Sequence, residues 1–158
     1  MEEKTNVMRI LEQKKIPYRP HFYENTDAVN GTEVAKILGE DPGRVFKTLV
    51  TEGKSGQHYV FVIPVEKELD LKKAAKAVGE KSVAMLKARE LLPLTGYVHG
   101  GCSPIGMKKF FLTTIGRQVE GLEYFFFSGG KIGAQVEMAP EDLKKVISYQ
   151  VADVTAEA

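Results

Sequence analysis

Two kinds of group in this chain have the chemistry to act on a ligand: a lysine inside an apolar strand and a pair of glycine-rich turns. Lys47 stands in Arg44-Val45-Phe46-Lys47-Thr48-Leu49-Val50. Alternate side chains of a strand share a face, so Lys47 goes with Val45 and Leu49 while Phe46, Thr48 and Val50 take the other side. A lysine so placed has two uses. It lays its stem along apolar surface with the ammonium in water, or it holds the ammonium in a cleft for a phosphate, carbonyl or carboxylate.

The second feature is Gly100-Gly101-Cys102-Ser103-Pro104-Ile105-Gly106. Glycines let a backbone approach a ligand closely because no Cβ intervenes. Successive free N–H groups in such a turn form a concave donor site for an oxyanion. The plain alternative is an ordinary turn between two strands. The third feature, Ser128-Gly129-Gly130-Lys131, follows the strand Tyr124–Phe127 and sets a hydroxyl at its end. Its plain alternative is a hairpin loop.

Other residues carry less. Cys102 has the chemistry of a nucleophile, but no histidine or acid marks a triad around it; His99 lies three residues before it on the same segment. His21, His58 and His99 show no zinc spacing with Cys102, so no metal site is expected. The basic set Lys72, Lys73, Lys76, Lys81, Lys87 and Arg89 reads as a solvated face or as a few phosphate contacts, as do Lys108 and Lys109. Tyr124-Phe125-Phe126-Phe127 reads as a core strand rather than a base-stacking platform. There is no P-loop and no dinucleotide fingerprint, and no cofactor is expected.

The elements that must position these groups follow from periodicity and punctuation. Residues 5–15 read as a helix capped by Thr5 or Asn6 and stopped by Pro17. Residues 18–23 read as an edge strand, because Pro20 lacks a ladder donor. A short helix follows over 32–38, with Thr32 as cap and Gly39 at its end. Val45–Thr51 and His58–Val65 form a hairpin. Leu71–Val78 is a helix ended by Gly79. Ser82–Leu86 is a short strand, and Ala88–Leu92 a helical turn closed by Pro93. Tyr97 and Val98 start a strand into the first glycine turn. Strands are expected at Phe110–Ile115, Glu123–Phe127 and Ala134–Met138, then a helix over 140–148 opened by Pro140, with Val151 and Val154 returning to the sheet. Strands outnumber helices and do not alternate with them regularly, which indicates an α+β fold around a mixed, mostly antiparallel sheet.

The totals agree. The chain of 158 residues is near the usual size of one domain, so residues 1–158 are read as a single unit. The hydrophobic fraction of 43% and charged fraction of 27% are globular values. Proteins that grip long nucleic acid through many phosphates are usually much more basic than the net charge of +1 here, so any nucleic-acid partner is expected to be touched locally or delivered by another protein. One cysteine precludes an intrachain disulfide, and a reducing cytoplasm is the expected location. The N-terminus Met1-Glu2-Glu3-Lys4 lacks the pattern of a signal peptide. No run approaches the about 20 apolar residues that span a bilayer, so no membrane partner is expected.

Five segments in order make a more specific pattern: Arg-Val-Phe-Lys-Thr-Leu-Val, Leu-Lys-Lys-Ala-Ala-Lys, Thr-Gly-Tyr-Val-His-Gly-Gly-Cys-Ser-Pro-Ile-Gly, Phe-Ser-Gly-Gly-Lys-Ile-Gly and Glu-Met-Ala-Pro-Glu-Asp-Leu. Together they resemble the YbaK/EbsC family, free-standing relatives of the editing domain inserted in bacterial prolyl-tRNA synthetases, over about residues 5–154. The nearest subgroup resembles the Cys-tRNA(Pro) deacylases. The resemblance implies a pocket for the aminoacyl-adenosine end of tRNA, with Lys47 as the family's strand lysine and Gly100 to Pro104 as its Gly-x-x-x-Pro loop. On this reading Lys47 and the main-chain amides of Gly100, Gly101 and Cys102 carry catalysis. Tyr23, Thr48, Ser103, Pro104, Ser128 and Gly129 bind substrate. The chain departs from the family at Asn30, often aromatic there, and at Gln135, an acid in some members. The implied partners are aminoacylated tRNA and prolyl-tRNA synthetase, with the chain itself a monomer. The implied reaction removes cysteine from tRNA(Pro), with the substrate's own thiol attacking its ester. Alternatives are water attack on another mischarged tRNA such as Ala-tRNA(Pro), a non-catalytic module for tRNA ends or a synthetase, and an unrelated α+β interaction domain.

Overall fold

The computed structural model describes residues 3–24 and 30–157. Helix α1, Asn6–Gln13, is capped by the Thr5 hydroxyl, which accepts from the Met8 amide at 3.2 Å, and it buries Val7, Met8 and Leu11. Strand β1, Arg19–Phe22, precedes helix α2, Gly31–Leu38. The hairpin comes next, with β2 at Phe46–Gly53 and β3 at His58–Pro64. Then follow α3, Leu71–Val78, β4, Val83–Met85, and α4, Ala88–Thr95. The last third holds β5, Leu112–Gly116; β6, Phe125–Ser128; β7, Ala134–Met138; α5, Pro140–Leu143; and β8, Tyr149–Ala152.

The α+β class and the mostly antiparallel pairing are those the sequence indicated. The strands, however, fall into two sheets. One has the order β1-β7-β6, the other β4-β2-β3-β5-β8. The β3–β5 and β5–β8 pairs are parallel and the rest antiparallel. Proline 20 sits on an edge strand, where its missing donor costs nothing. A parallel bridge between Val45 and Phe126 ties the two sheets together. Both residues are buried, with Ala35 and Val65 beside them, so the join is packed as well as hydrogen-bonded.

The larger core lies on the opposite side of these strands. There Phe46, Val50, Val60 and Val62 meet Phe125, Phe127 and Val136, and α1 closes over them. The alternation read for residues 45–50 is thus the one observed. A third cluster packs α3 on β3 through Phe61, Ile63, Ala74 and Ala75.

Five local expectations are corrected. Asn30, not Thr32, caps α2: the helix begins one residue earlier, and the Asn30 side chain accepts from the Glu33 amide at 3.0 Å and from the Thr32 hydroxyl at 2.8 Å. Pro93 does not end α4, which runs on to Thr95 because buried Leu91 and Thr95 anchor both sides of it. Tyr97 and Val98 form no strand; the Thr95 hydroxyl accepts from the Tyr97 amide, and the chain turns at once. The last helix stops at Leu143, since the chain must reverse before β8 begins at Tyr149. Val151 does join the sheet opposite Ile115, while Thr155 rather than Val154 bridges back to Leu69.

Candidate active site

The site is the fork where β2 and β6 separate. The two strands run parallel at the Val45–Phe126 bridge. Two residues further along each strand stand Lys47 and Ser128, on the face that Val45 and Phe126 also share. Ser128 lies opposite Gln135 on β7, and Gln135 opposite His21 on β1. Strand β4 pairs only with Thr51–Gly53 of β2, and Leu86 adds one bond to the Val50 carbonyl. Residues 46–49 therefore have no strand partner on that edge among the described residues.

A cavity of about 430 Å³ fills this fork. Lys47 and Thr48 line one wall, Ser128, Ile132 and Gln135 the other. The start of α2, with Asn30, Gly31 and Val34, lies along it, and so do Tyr23 and the turn residues His99, Gly100 and Cys102. Gly31 is a forced choice, because a Cβ there would meet Val65 Cγ1 at 2.7 Å. The volume suits a small organic ligand. A more open groove of about 530 Å³, lined by His58, Leu86, Arg89, Glu90, Pro93 and Leu94, has no unpartnered buried polar side chain and is not the candidate site.

The two glycine turns meet. Gly100 has φ +86°, as the third residue of a turn closed by the Gly101 amide donating to the Val98 carbonyl at 3.0 Å. A Cβ on Gly101 would lie 3.0 Å from Lys131 Cα and from the Ile132 nitrogen, so the turn at 100–101 packs directly on the segment after Ser128. This also corrects one expected role. The Gly101 amide closes its own turn and is not free for a ligand. The amides of Gly100 and Cys102 have no acceptor among the described residues.

The structure brings Lys47, Gly100, Cys102, Tyr23, Thr48 and Ser128 to one cavity. It sets Gly101, Ser103, Pro104 and Gly129 behind the wall, buried. Ser103 is fully buried and its hydroxyl accepts from the Ile105 amide. The Gly129 amide donates to the Ala134 carbonyl at 2.8 Å. These four shape the loops rather than face the cavity. Sequence reasoning does not name Gly31, Val34 or Ile132 as site residues, and it weighs His99 only as a partner for Cys102 or a metal and Asn30 only as a departure from the family. Ile132, beside the second glycine turn, and His99, directly before the first, carry a local hint.

The electrostatics are simple. No carboxylate lines the cavity among the described residues, and none lies within ion-pair distance of Lys47. The Cys102 thiol is buried, and burial pushes its pKa up to about 12, so the sulfur stays protonated and unreactive near neutrality. The Ser128 hydroxyl accepts from the Gly130 amide at 3.1 Å. Among the described residues no serine, threonine or cysteine of the cavity is hydrogen-bonded to a histidine or carboxylate. Two buried oxygens in the wall, Thr48 Oγ1 and Gln135 Oε1, have no partner. Leaving such an atom unpaired costs about 1–3 kcal/mol, which a ligand can offset.

Among the described residues, this α+β protein joins a preformed cavity, a lysine and main-chain amides without an acceptor, a set suited to positioning a ligand and stabilising its charge. The chain belongs to the aminoacyl-tRNA editing domain family, whose model matches residues 25–146. It is 46% identical over 155 residues, 98% of this chain and 94% of the relative, to EbsC of Enterococcus faecalis, named as a candidate Cys-tRNA(Pro)/Cys-tRNA(Cys) deacylase. It is 25% identical to a proline–tRNA ligase of Thermosipho africanus over 61% of this chain and 19% of that enzyme. Among solved structures, a hypothetical protein matches with a TM-score of 0.86 at 26% identity, over 98% of this chain and all of that one. A candidate trans-editing enzyme for prolyl-tRNA synthetase matches in fold with a TM-score of 0.84, at 24% identity and over the same shares.

Proposed function

We propose that this chain clears cysteine from mischarged tRNA, Cys-tRNA(Pro) foremost, by positioning the ester for attack by the substrate's own thiol. The observation that carries this is the union of Lys47 with the amides of Gly100 and Cys102 around one cavity that holds no activated nucleophile among its described residues. The nucleophile then comes from the substrate or from water, and a cysteinyl ester carries its own. Its thiol has an ordinary pKa of about 8.5, and a nearby cation favours the thiolate. Lys47 supplies that cation, and it also suits the ester carbonyl or the terminal phosphate.

The thiolate sulfur bonds to the carbonyl carbon and the carbonyl oxygen takes up the negative charge. The main-chain donors hold that oxygen. The bond to the tRNA oxygen then breaks, the tRNA hydroxyl takes a proton, and the cyclic thioester left behind is opened by water to give cysteine. The enzyme's contribution is orientation and charge stabilisation. The Thr48 hydroxyl is available to the adenosine end. The 46% identity to EbsC supports the choice of cysteine.

The modest net charge of +1 and the likeness to parts of proline–tRNA ligases support prolyl-tRNA synthetase as the partner that selects the tRNA. The test is a deacylation panel: Cys-tRNA(Pro), Ala-tRNA(Pro) and tRNA(Pro) carrying 2-aminobutyrate, which is cysteine with a methyl group for the thiol. Cleavage of the cysteinyl ester at least about 100-fold faster than the aminobutyryl ester is expected. Equal rates would refute thiol assistance, and faster release of alanine would move the substrate assignment to Ala-tRNA(Pro).

A further inference from the structure

The wall opposite Lys47 contains a group that the proposed reaction does not use. Gln135 is 6% exposed, its Oε1 is buried without a partner, and it lines the cavity. Its position is fixed on both sides, by Ser128 on β6 and His21 on β1. Directly opposed residues of an antiparallel pair put their side chains on the same face, with Cβ atoms about 4.5–5.5 Å apart. Ser128 and Gln135 thus present two neutral oxygens side by side. Ser128 already accepts from Gly130, and its second lone pair remains. Lys47 is aligned with Ser128 on the far side of the row. Across this face the order is a cation, a hydroxyl and a carboxamide.

An aminoacyl ester carries a cation of its own, the α-ammonium. It is repelled by Lys47 and needs acceptors for its N–H bonds. No carboxylate lines the cavity among the described residues, and the acceptors these offer, Gln135 Oε1 and the Ser128 hydroxyl, are neutral. We propose that Gln135 Oε1, with the Ser128 hydroxyl beside it, holds the free α-ammonium group of the aminoacyl ester and makes this chain selective for substrates whose amino group is unblocked. This deepens the deacylase reading and rests on it. Lys47 then binds the acyl carbonyl side, and the ester is held between two points of opposite demand. A peptidyl or formylated ester has no such cation and leaves the Gln135 oxygen unpaired.

The test separates binding from hydrolysis. Affinity is measured by calorimetry for adenosine carrying a 3′-cysteinylamido group, which cannot be deacylated, and for the same compound lacking the amino group. The wild-type protein is expected to bind the amino compound at least about 10-fold more tightly. Gln135→Met, which keeps length and burial, should erase that ratio, and Gln135→Glu, which restores an acceptor, should recover it. In parallel, cleavage of Cys-tRNA is compared with that of N-acetyl-Cys-tRNA, where a free amine should be preferred by a similar factor. Equal affinities for the two adenosine compounds in the wild type, or a ratio unchanged in Gln135→Met, would overturn the assignment. Selective binding without hydrolysis of any aminoacyl-tRNA would uphold it and refute the deacylase reading instead.

Discussion

Val45 and Phe126 form a parallel bridge that joins the two sheets, and the cavity opens where the strands on either side of it part. Both side chains are at most 1% exposed. The join is therefore stiff, and the groups two residues beyond it, Lys47 and Ser128, inherit their spacing from it. Rigid positioning of this kind is what a site that works by orientation requires.

Lys47→Met keeps the aliphatic stem and removes the charge. It should lower kcat/KM for Cys-tRNA by about 100–1,000-fold, the effect of removing one strong electrostatic stabiliser, with only a small change in Tm. Lys47→Arg should recover part of the activity. Parallel deacylation and melting curves check this; a large fall in Tm with little loss of rate would assign Lys47 to packing.

Gly101→Ala places a methyl group 3.0 Å from backbone atoms of Lys131 and Ile132, which cannot yield as a side chain does. The two glycine turns must move apart. Deacylation should fall at least about 10-fold while the fold persists, as circular dichroism would show. Gly56→Ala, at a turn where a Cβ meets nothing within 4 Å, is the control that strains a positive φ far from the chemistry.

Cys102→Ala should leave the deacylation rate within about twofold, because the buried thiol is held protonated and the substitution keeps the main-chain amide proposed to hold the carbonyl oxygen. The cost in stability is that of deleting one buried sulfur, roughly 1–2 kcal/mol on the scale of small core truncations. Rates and urea midpoints for the variant settle both points.

Alkaline conditions should unfold the protein through groups that burial holds in their protonated forms. Cys102 is pushed up from 9.0 to about 12, and Tyr97 from 10.0 to about 12, each chiefly by burial. A pKa that is higher in the folded state gives stability that is complete below the unfolded value and lost as pH rises towards the folded one. Tm should therefore decline from about pH 9 towards pH 12. Cys102→Ala should delay the onset to about pH 10, where Tyr97 begins to titrate in the unfolded chain.

What could be read from the sequence was mostly local. The Thr5 cap, the stops at Gly39 and Gly79, the hairpin of β2 and β3, and the sidedness of residues 45–50 all depend on neighbours in the chain, and all are present. The failures have a common cause in competition. Asn30 and Thr32 can both cap a helix, and tertiary packing of Gly31 on Val65 selects the earlier start. Pro93 is a helix breaker by propensity, yet Leu91 and Thr95 are held in the core on either side of it. The division into two sheets was not legible, because the bridge between Val45 and Phe126 joins residues about half the chain apart. The contribution of α2 to the cavity follows from that bridge and was hidden with it. Whether the Gly101 amide was free depended on a single turn bond to Val98, which Gly-Gly permits but does not require.

The edge of β2 at residues 46–49, without a strand partner among the described residues, has a further effect. Exposed strand edges recruit other chains, and proteins usually blunt them with charge or cover. Here the edge is recessed in a fork barely four residues long, flanked by the Phe126 bridge at one end and by β4 at the other. A stretch so short and sunken is a poor template for self-association. The same recess that forms the cavity thus spares the protein the solubility burden that a bare sheet margin would impose.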